Sequence, residues 1–365
     1  MIDGSLTRKL HDAGVGLGEL GIQWGRRAPH PPALMLTGRD LALLAFLHDF
    51  NYATTSTLAL AFWGRYASPA RERLKLLCDA GLVDKLRPRV ARTQGSQEWI
   101  YRLTQRGWRV VVDAGQAADG YPYTPSRLTS IAYVEHDVQV AALVVWLAAR
   151  NAAANHHAAT GVLETAGFTA AGPRAARIDP RYQPVVGNRS AAATLGSQRL
   201  HLGRATAGVL APDTTLAGVT PKGKTTAVLI EYDRTAKPTK QIARLRRYDH
   251  FLTLGWRQGA YANLDLPPLV LYICPSDQHI APLAQLADRE LTAAIEAADR
   301  TRTHPGRELL AFTSRPRVLA GDWRMAQLRP LPPELRRERD GTITHDEHLP
   351  LDRLFARRAG YALAS

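Results

Sequence analysis

The sequence predicts an α+β fold in two domains, and three observations predict it. The chain has 365 residues, long for one domain, and its 45% hydrophobic content is enough for sizeable cores. Between Leu36 and Gly115, three helical patterns are followed by two short strand patterns around a basic loop. After a Gly- and Pro-rich linker at 115–126, strand patterns alternate with longer helical ones from 126 to about 325. That alternation predicts an α/β domain with a mixed central sheet.

Residues 1–35 are punctuated by Gly and Pro, ending in Ala28-Pro29-His30-Pro31-Pro32, and are expected to form a flexible tail. Thr37 or Asp40 can start a first helix, in which Leu43, Leu44, Leu47 and Phe50 share one side. A second short helix runs from Thr54 or Thr55 through Phe62. Ser68-Pro69 offers a capping hydroxyl and a proline at the first helical position, so a third helix is expected to run to Ala80 and stop at Gly81. Leu82–Arg87 and Glu98–Leu103 are then two strands joined by a basic loop over 88–95, and Thr104 caps a closing helix over Val110 to Val112.

Three helices and a hairpin, over 36–115, is the order of a winged helix-turn-helix. In its third helix Ala70, Leu74 and Leu77 make a buried stripe, while Arg71 and Lys75 share an exposed face at i, i+4. Arg71, Arg73 and Lys75 are therefore candidate DNA-binding residues of a recognition helix. Lys85, Arg87, Arg89 and Arg92 are their counterparts on the wing, facing the phosphate backbone. The alternative is a winged helix used for protein contacts, with an ordinary solvated basic face.

The charge balance agrees with the first of these uses. A formal net charge of +14, from 47 Lys and Arg against 33 Asp and Glu, favours a polyanion. Nucleic acid is the first expectation and an acidic membrane surface the second. Arginine far outnumbers lysine, as codon bias in a GC-rich genome also produces, so charge supports the reading without carrying it. Cys78 and Cys274 stand far apart in apolar runs, away from any zinc-type spacing, and read as core thiols of a reducing compartment. The amino terminus lacks the apolar stretch of a signal peptide and no run is long enough for a membrane span. The expectation is a cytoplasmic protein with no membrane insertion, double-stranded DNA as partner, and a homodimer as an open option.

The second half opens with an amphipathic helix at about 126–150 and a strand within 161–168. Residues 174–204 are Arg-rich, either a loop gripping a backbone or a solvated insertion. Strands are expected at 209–213 and 227–233, separated by a turn at 218–223. A helix at about 239–254 and a buried strand at 269–274 follow. Glu231 and Asp233, at i and i+2 in a strand, project from one face, and Asp213 on the neighbouring strand can join them. Three convergent carboxylates suit Mg²⁺, which prefers oxygen ligands and can activate water against a phosphodiester. The plainer reading is a strand end whose carboxylates pair with Arg234 or Arg244.

Pro212-Asp213 and Glu231 on adjacent strands, in this order of elements, resemble the PD-(D/E)xK restriction-endonuclease-like superfamily. From about Leu36 to Trp323 the chain is similar to the replication-relaxation family of actinobacterial and other Gram-positive plasmids and integrative elements. The matching residues begin with Leu36-Thr37-x-Arg39-Asp40, Gly81-Leu82-Val83 and Tyr101-x-Leu103-Thr104-x-x-Gly107. Pro212-Asp213, Glu231-x-Asp233-Arg234 and Arg247-Tyr248 complete the set. The resemblance implies a DNA-associated role in plasmid replication, relaxation or transfer. It also implies Asp213 and Glu231 as catalytic acids, with Asp213, Glu231 and Asp233 as metal ligands. The superfamily pattern expects lysine where this chain has Asp233; Lys237 or Lys240 would have to supply the amine. Without it the domain is a nuclease-like scaffold that binds DNA and does not cut.

Gly218-Val219-Thr220-Pro221-Lys222-Gly223-Lys224-Thr225 matches the P-loop expression, yet a β-branched strand pattern follows where a helix is required, so no ATP binding is expected. His156-His157 reads as a solvated pair. Tyr232 and Tyr248 read as packing or stacking residues. The C-terminal stretch 326–365, around Arg336–Arg339, is expected to be a basic tail. Three functions compete: a DNA-nicking protein of a mobile element, a binding-only replication factor or repressor, and, remotely, a nucleotide-dependent enzyme.

Overall fold

The computed structural model describes residues 22–29, 33–64, 66–88, 98–115, 131–154, 168–171, 200–201, 209–210, 212–219, 224–233, 241–258, 261, 263–298, 305–320, 325–328 and 343–345. It divides into two compact units, the first spanning Met1–Ala166 with Tyr182–Val185 and the second Gly167–Arg181 with Val186–Ser365.

Local capping builds the first unit. Helix α1 (Gly38–Phe50) begins at a capping box in which Thr37 accepts from the Asp40 amide and Asp40 accepts from the Thr37 amide. Thr54 caps α2 (Thr55–Trp63) and Thr104 caps α4 (Gln105–Asp113) in the same way. Helix α3 (Ala67–Asp79) departs from expectation. It starts at Ala67 behind Tyr66, which makes no side-chain cap, so Ser68 and Pro69 fall inside its first turn. It ends as expected, with Gly81 at φ +71°, a conformation that glycine adopts without steric cost.

A four-stranded antiparallel sheet follows the order β1 (Ile22–Trp24), β3 (Val83–Pro88), β4 (Ile100–Leu103), β2 (Ala53–Thr54). The first strand corrects the expectation of a tail over all of 1–35. Ile22 is 2% exposed, packed with Tyr52, Leu86, Ile100 and Val134, and that burial holds the segment in register. Helix α5 (Ile131–Ala154) was grouped by its sequence position with the strands after it. The whole helix lies in the first unit, where Val134 and Val138 pack against the sheet and Asp137 accepts from the buried Asn51 side-chain amide at 2.8 Å. Gly107 explains part of its motif: a Cβ there would lie 2.1 Å from the Leu82 carbonyl oxygen, and the Thr104 hydroxyl donates to the carbonyls of Gly81 and Leu82.

The second unit is built on a seven-stranded mixed sheet. Its order is β13 (Ile343–His345), β12 (Ala326–Leu328), β11 (Leu310–Ser314), β10 (Leu269–Cys274), β9 (Thr225–Tyr232), β8 (Thr214–Val219), β5 (Phe168–Ala171). The central β9, β10 and β11 are parallel, and the outer pairings are antiparallel. Helix α6 (Ile242–His250) connects β9 to β10, and α7 (Ile280–Ala298) connects β10 to β11, the crossovers that parallel strands require. All of β10 is buried, as its unbroken apolar run predicts for a strand covered on both faces. Tyr248, Phe251, Tyr272, Leu283, Leu291 and Phe312 form the core under these helices.

The strand boundaries here differ from expectation. Residues 209–213 do not form one strand: β7 (Val209–Leu210) pairs with β6 (Leu200–His201) in a separate ribbon, and the hairpin partner of β9 is β8, which begins just after Asp213. The helix expected at 239–254 is α6, continued by a π-helical turn at Phe251–Gly255 and a 3₁₀ turn at Trp256–Gln258. Strands β12 and β13 fall in the stretch expected to be a basic tail, and β12 buries Ala326 at the sheet's antiparallel side. Helix α8 (Arg315–Ala320) follows β11.

Candidate functional site

In the first unit the buried stripe of α3 is Ala70, Leu74 and Leu77, as its spacing requires. The three cations of the helix divide into different roles. Arg71 is exposed, with no ion pair or hydrogen bond among the described residues. Lys75 pairs with Asp79 one turn on, at 2.6 Å, while its side chain stays 68% exposed. That bond holds the Asp79 carboxyl below the usual carboxylate range, against the opposing effect of burial. Arg73 turns inward: Nε meets Asp40 Oδ1 at 2.8 Å, and Nη2 meets Asp40 Oδ2 at 2.5 Å and the Met35 carbonyl at 2.6 Å. Its guanidinium ties α3 to α1 and is a clamp of the fold.

The hairpin continues the exposed cationic side. Strand alternation puts Lys85 and Arg87 on one face of β3, and Lys85 lies opposite Tyr101 in the pairing with β4. Trp99, just before β4, sits beneath both cations: Lys85 Nζ is 5.3 Å and Arg87 Cζ 4.5 Å from its ring centroid. Arg87 Nε also donates to Gln23 Oε1 of β1 at 2.9 Å. Burial raises the Tyr101 hydroxyl, and Arg71 acts on it electrostatically in the opposite sense; Lys85 acts likewise on Asp79. Arg71 and Lys75 thus share one face of α3, and Lys85 and Arg87 share one face of β3. Arg89 and Arg92 lie outside the described residues.

In the second unit Asp213 immediately precedes β8, whose pairing with β9 ends at Thr214 and Ile230. Asp213 accepts from the Tyr232 amide at 2.7 Å and its own amide donates to the Ile230 carbonyl at 2.9 Å. Asp233 follows the strand, its amide donating to Ile273. Asp213, Glu231 and Asp233 thus lie where the β8–β9 pairing ends. Their surroundings differ from an open metal site. Glu231 is 1% exposed, and α6 closes over it: Arg244 Nη1 meets Oε2 at 2.5 Å, and the Tyr248 hydroxyl donates to Oε1. The Glu231 charge raises the Arg244 guanidinium further above its already high range, against burial. Burial, then the nearby Glu231 carboxylate, pushes the Tyr248 hydroxyl well up.

Of the two pairings weighed for Glu231, the one with Arg244 is present. Both Glu231 oxygens accept from side chains, and among the described residues no group of three His, Cys, Asp or Glu side chains could hold a metal ion. Asp213, Glu231 and Asp233 do not fit Mg²⁺ as a donor set in this arrangement. Lys237 and Lys240 lie outside the described residues.

The P-loop-like stretch leads from Lys224 into β9, a strand. Thr225, at the position that would meet phosphate-bound metal, instead gives its amide and hydroxyl to Asp265 Oδ2 at 2.7 and 2.8 Å. His156-His157 lie outside the described residues, and Tyr232 and Tyr248 are core residues. Sequence reasoning missed Trp99 and Gln23. The period-2 alternation of Trp99 and Tyr101 across from Lys85 and Arg87 is the signal that could have found Trp99.

A family model described as replication-relaxation matches residues 44–266. No curated protein and no solved structure matches the chain. No helix among the described residues is long and apolar enough to cross a membrane.

Proposed function

The chain belongs to the replication-relaxation family, and from that premise we propose that it is a DNA-binding protein of a mobile element, acting in plasmid replication, relaxation or transfer. The first unit works as a winged helix-turn-helix, with α3 as recognition helix and the β3–β4 hairpin as wing. The observation that carries this reading is the pairing of exposed Arg71 and Lys75 on the face of α3 away from its buried apolar stripe with Lys85 and Arg87 held over Trp99 on the hairpin. Tyr66, 73% exposed at the amino end of α3, stands where recognition helices meet base edges. Duplex DNA in the cytoplasm is the partner.

The second unit is a restriction-endonuclease-like domain that serves as a scaffold, because its central glutamate is already held by Arg244 and Tyr248. The runner-up is a nicking endonuclease using Asp213, Glu231 and Asp233 with an amine from Lys237 or Lys240. One observation favours it: the Asp213 carboxylate accepts from the Tyr232 amide, the residue next to Glu231.

Electrophoretic mobility shifts and fluorescence anisotropy with fragments of the element's own DNA test the main reading. Arg71→Ala should weaken the specific complex by about 1–3 kcal/mol, as loss of a base-edge contact does, with the fold intact by circular dichroism. Wild-type protein that binds no fragment, or an Arg71→Ala variant that binds as wild type, would overturn it.

A further inference from the structure

We infer that Trp99 is a positioning residue for DNA, whose indole ring holds Lys85 and Arg87 as a two-cation clamp on the phosphate backbone of a duplex. This rests on the winged-helix reading and adds to it the residue that organises the wing and the form of nucleic acid the wing accepts.

The argument begins with side-chain freedom. Lysine and arginine side chains carry much rotamer freedom that is lost when a ligand fixes them, so unsupported cations grip a phosphate weakly. Here both are already held. Lys85 Nζ stands 5.3 Å and Arg87 Cζ 4.5 Å from the Trp99 ring centroid, and Arg87 is fixed a second time by Gln23 Oε1 at 2.9 Å. The Lys85 stem also lies across Gly25, just after β1, where an added Cβ would stand 2.3 Å from its Cγ, so the missing side chain there lets the lysine pack against the backbone. The ring faces that hold the cations attract them through the quadrupole, while their outward N–H groups can still meet oxygen anions.

The same geometry excludes another use. An exposed tryptophan beside arginine is the usual platform on which unstacked bases of a single strand stack. Trp99 is half-buried and its ring already carries two cations, so a base would compete with them for its surface. A duplex presents phosphates with its bases stacked inside, and asks nothing of the ring. The wing therefore takes the double-stranded form and contributes affinity without reading sequence.

The test compares full-length wild type with Trp99→Leu, Trp99→Phe and Arg71→Ala, using a fluorescein-labelled duplex of mixed sequence and its single strand over a range of salt concentrations. Trp99→Leu should weaken duplex binding about fivefold to tenfold, the loss of two cation–π contacts, and flatten the plot of log affinity against log salt by about one phosphate contact. Trp99→Phe, which keeps an aromatic face, should recover most of both. A loss of packing alone would lower the melting temperature without changing the salt slope. Unchanged duplex affinity and slope in Trp99→Leu overturns the clamp. So does tighter binding of the single strand that Trp99→Leu abolishes, the mark of a stacking platform. If Trp99→Leu has no effect while Arg71→Ala weakens binding, the clamp falls and the winged-helix reading stands. If neither weakens binding, both fall.

Discussion

Arg73 of α3 and Asp40 of α1 form a two-pronged ion pair, Nε to Oδ1 at 2.8 Å and Nη2 to Oδ2 at 2.5 Å, with Asp40 1% exposed. Asp40 is also the third residue of α1 and half of its capping box, so one carboxylate starts a helix and fixes the angle of the next. From sequence, Arg73 looked like a third DNA contact of the recognition helix, because it lies between Arg71 and Lys75. Helical geometry puts it about 160° around the axis from both Arg71 and Lys75, and that turn brings it to the domain's own aspartate.

Asp40→Asn should destabilise the first unit by about 2–3 kcal/mol at neutral pH. This is below the cost of breaking a fully buried pair, because Arg73 keeps 23% exposure. Burial raises the Asp40 carboxyl, but hydrogen bonds from Arg73 and Thr37 outweigh it and leave the folded pKa below the ordinary value. A depressed folded pKa gives stability that is present above the unfolded value of about 3.9 and lost as pH falls through the folded one. The gap between wild type and variant in urea midpoints should hold steady from neutral pH to about pH 5 and close below about pH 4. A gap that widens on acidification would refute the assignment.

Gly107→Ala should cost more than its size suggests. The new methyl would lie 2.1 Å from the Leu82 carbonyl oxygen and 2.8 Å from Leu103 Cδ1, and the first of these is backbone fixed by the Thr104 hydroxyl. Relief requires α4 to move off the hairpin, a strain of about 2–4 kcal/mol. Thermal unfolding of the purified variant measures it, and a melting temperature equal to wild type would show that the helix can shift freely.

What the sequence made legible follows the range of the interactions. Thr37, Thr54 and Thr104 announce helix starts because the cap bonds to an amide three residues on, and the Leu269–Cys274 run needs only its own composition. The hairpin before Glu231 was enough to bring Asp213 beside the end of β9, where it accepts from the Tyr232 amide, although the strand ends were misplaced. Ser68 shows the limit of that logic: a strong local cap signal lost to a start two residues earlier, at Ala67 behind Tyr66. Strand β1 was hidden because Ile22-Gln23-Trp24 is too short to carry a period, and its pairing partner is remote in sequence. Arg244 and Tyr248 meet Glu231 only because a crossover helix lies back on its own strand, a tertiary fact that composition cannot rank against a metal site.

The stretch at 218–225 should show no affinity for ATP. Phosphate cradling needs a helix amino terminus with unsatisfied amides, and residues from Thr225 onward are paired in β9. The Thr225 amide and hydroxyl are further committed to Asp265, and those bonds hold the Asp265 carboxyl below its usual range. Isothermal titration with Mg-ATP checks this. Micromolar binding that Lys224→Ala removes would reinstate the nucleotide-dependent reading.

The sharpest separation between scaffold and nuclease is at Glu231. If the carboxylate serves to anchor α6, Tyr248→Phe should remove one charge-assisted hydrogen bond and cost about 1.5–3 kcal/mol. Glu231→Gln keeps an oxygen for Tyr248 but leaves Arg244 without its anion. Because Arg244 is 41% exposed and can turn to water, that loss should be smaller, about 1–2 kcal/mol. Neither change touches the α3 and hairpin cations, so DNA affinity should be retained by both variants. Titration of wild type with Mn²⁺ should give no saturable heat at this site, and supercoiled plasmid carrying the element's DNA should remain intact with Mg²⁺ or Mn²⁺. Nicking by wild type that disappears in Glu231→Gln, together with saturable metal uptake, would mean that α6 opens and Glu231 exchanges its protein partners for a cation. The nuclease reading would then replace the scaffold, and the lysine to look for next would be Lys237 or Lys240.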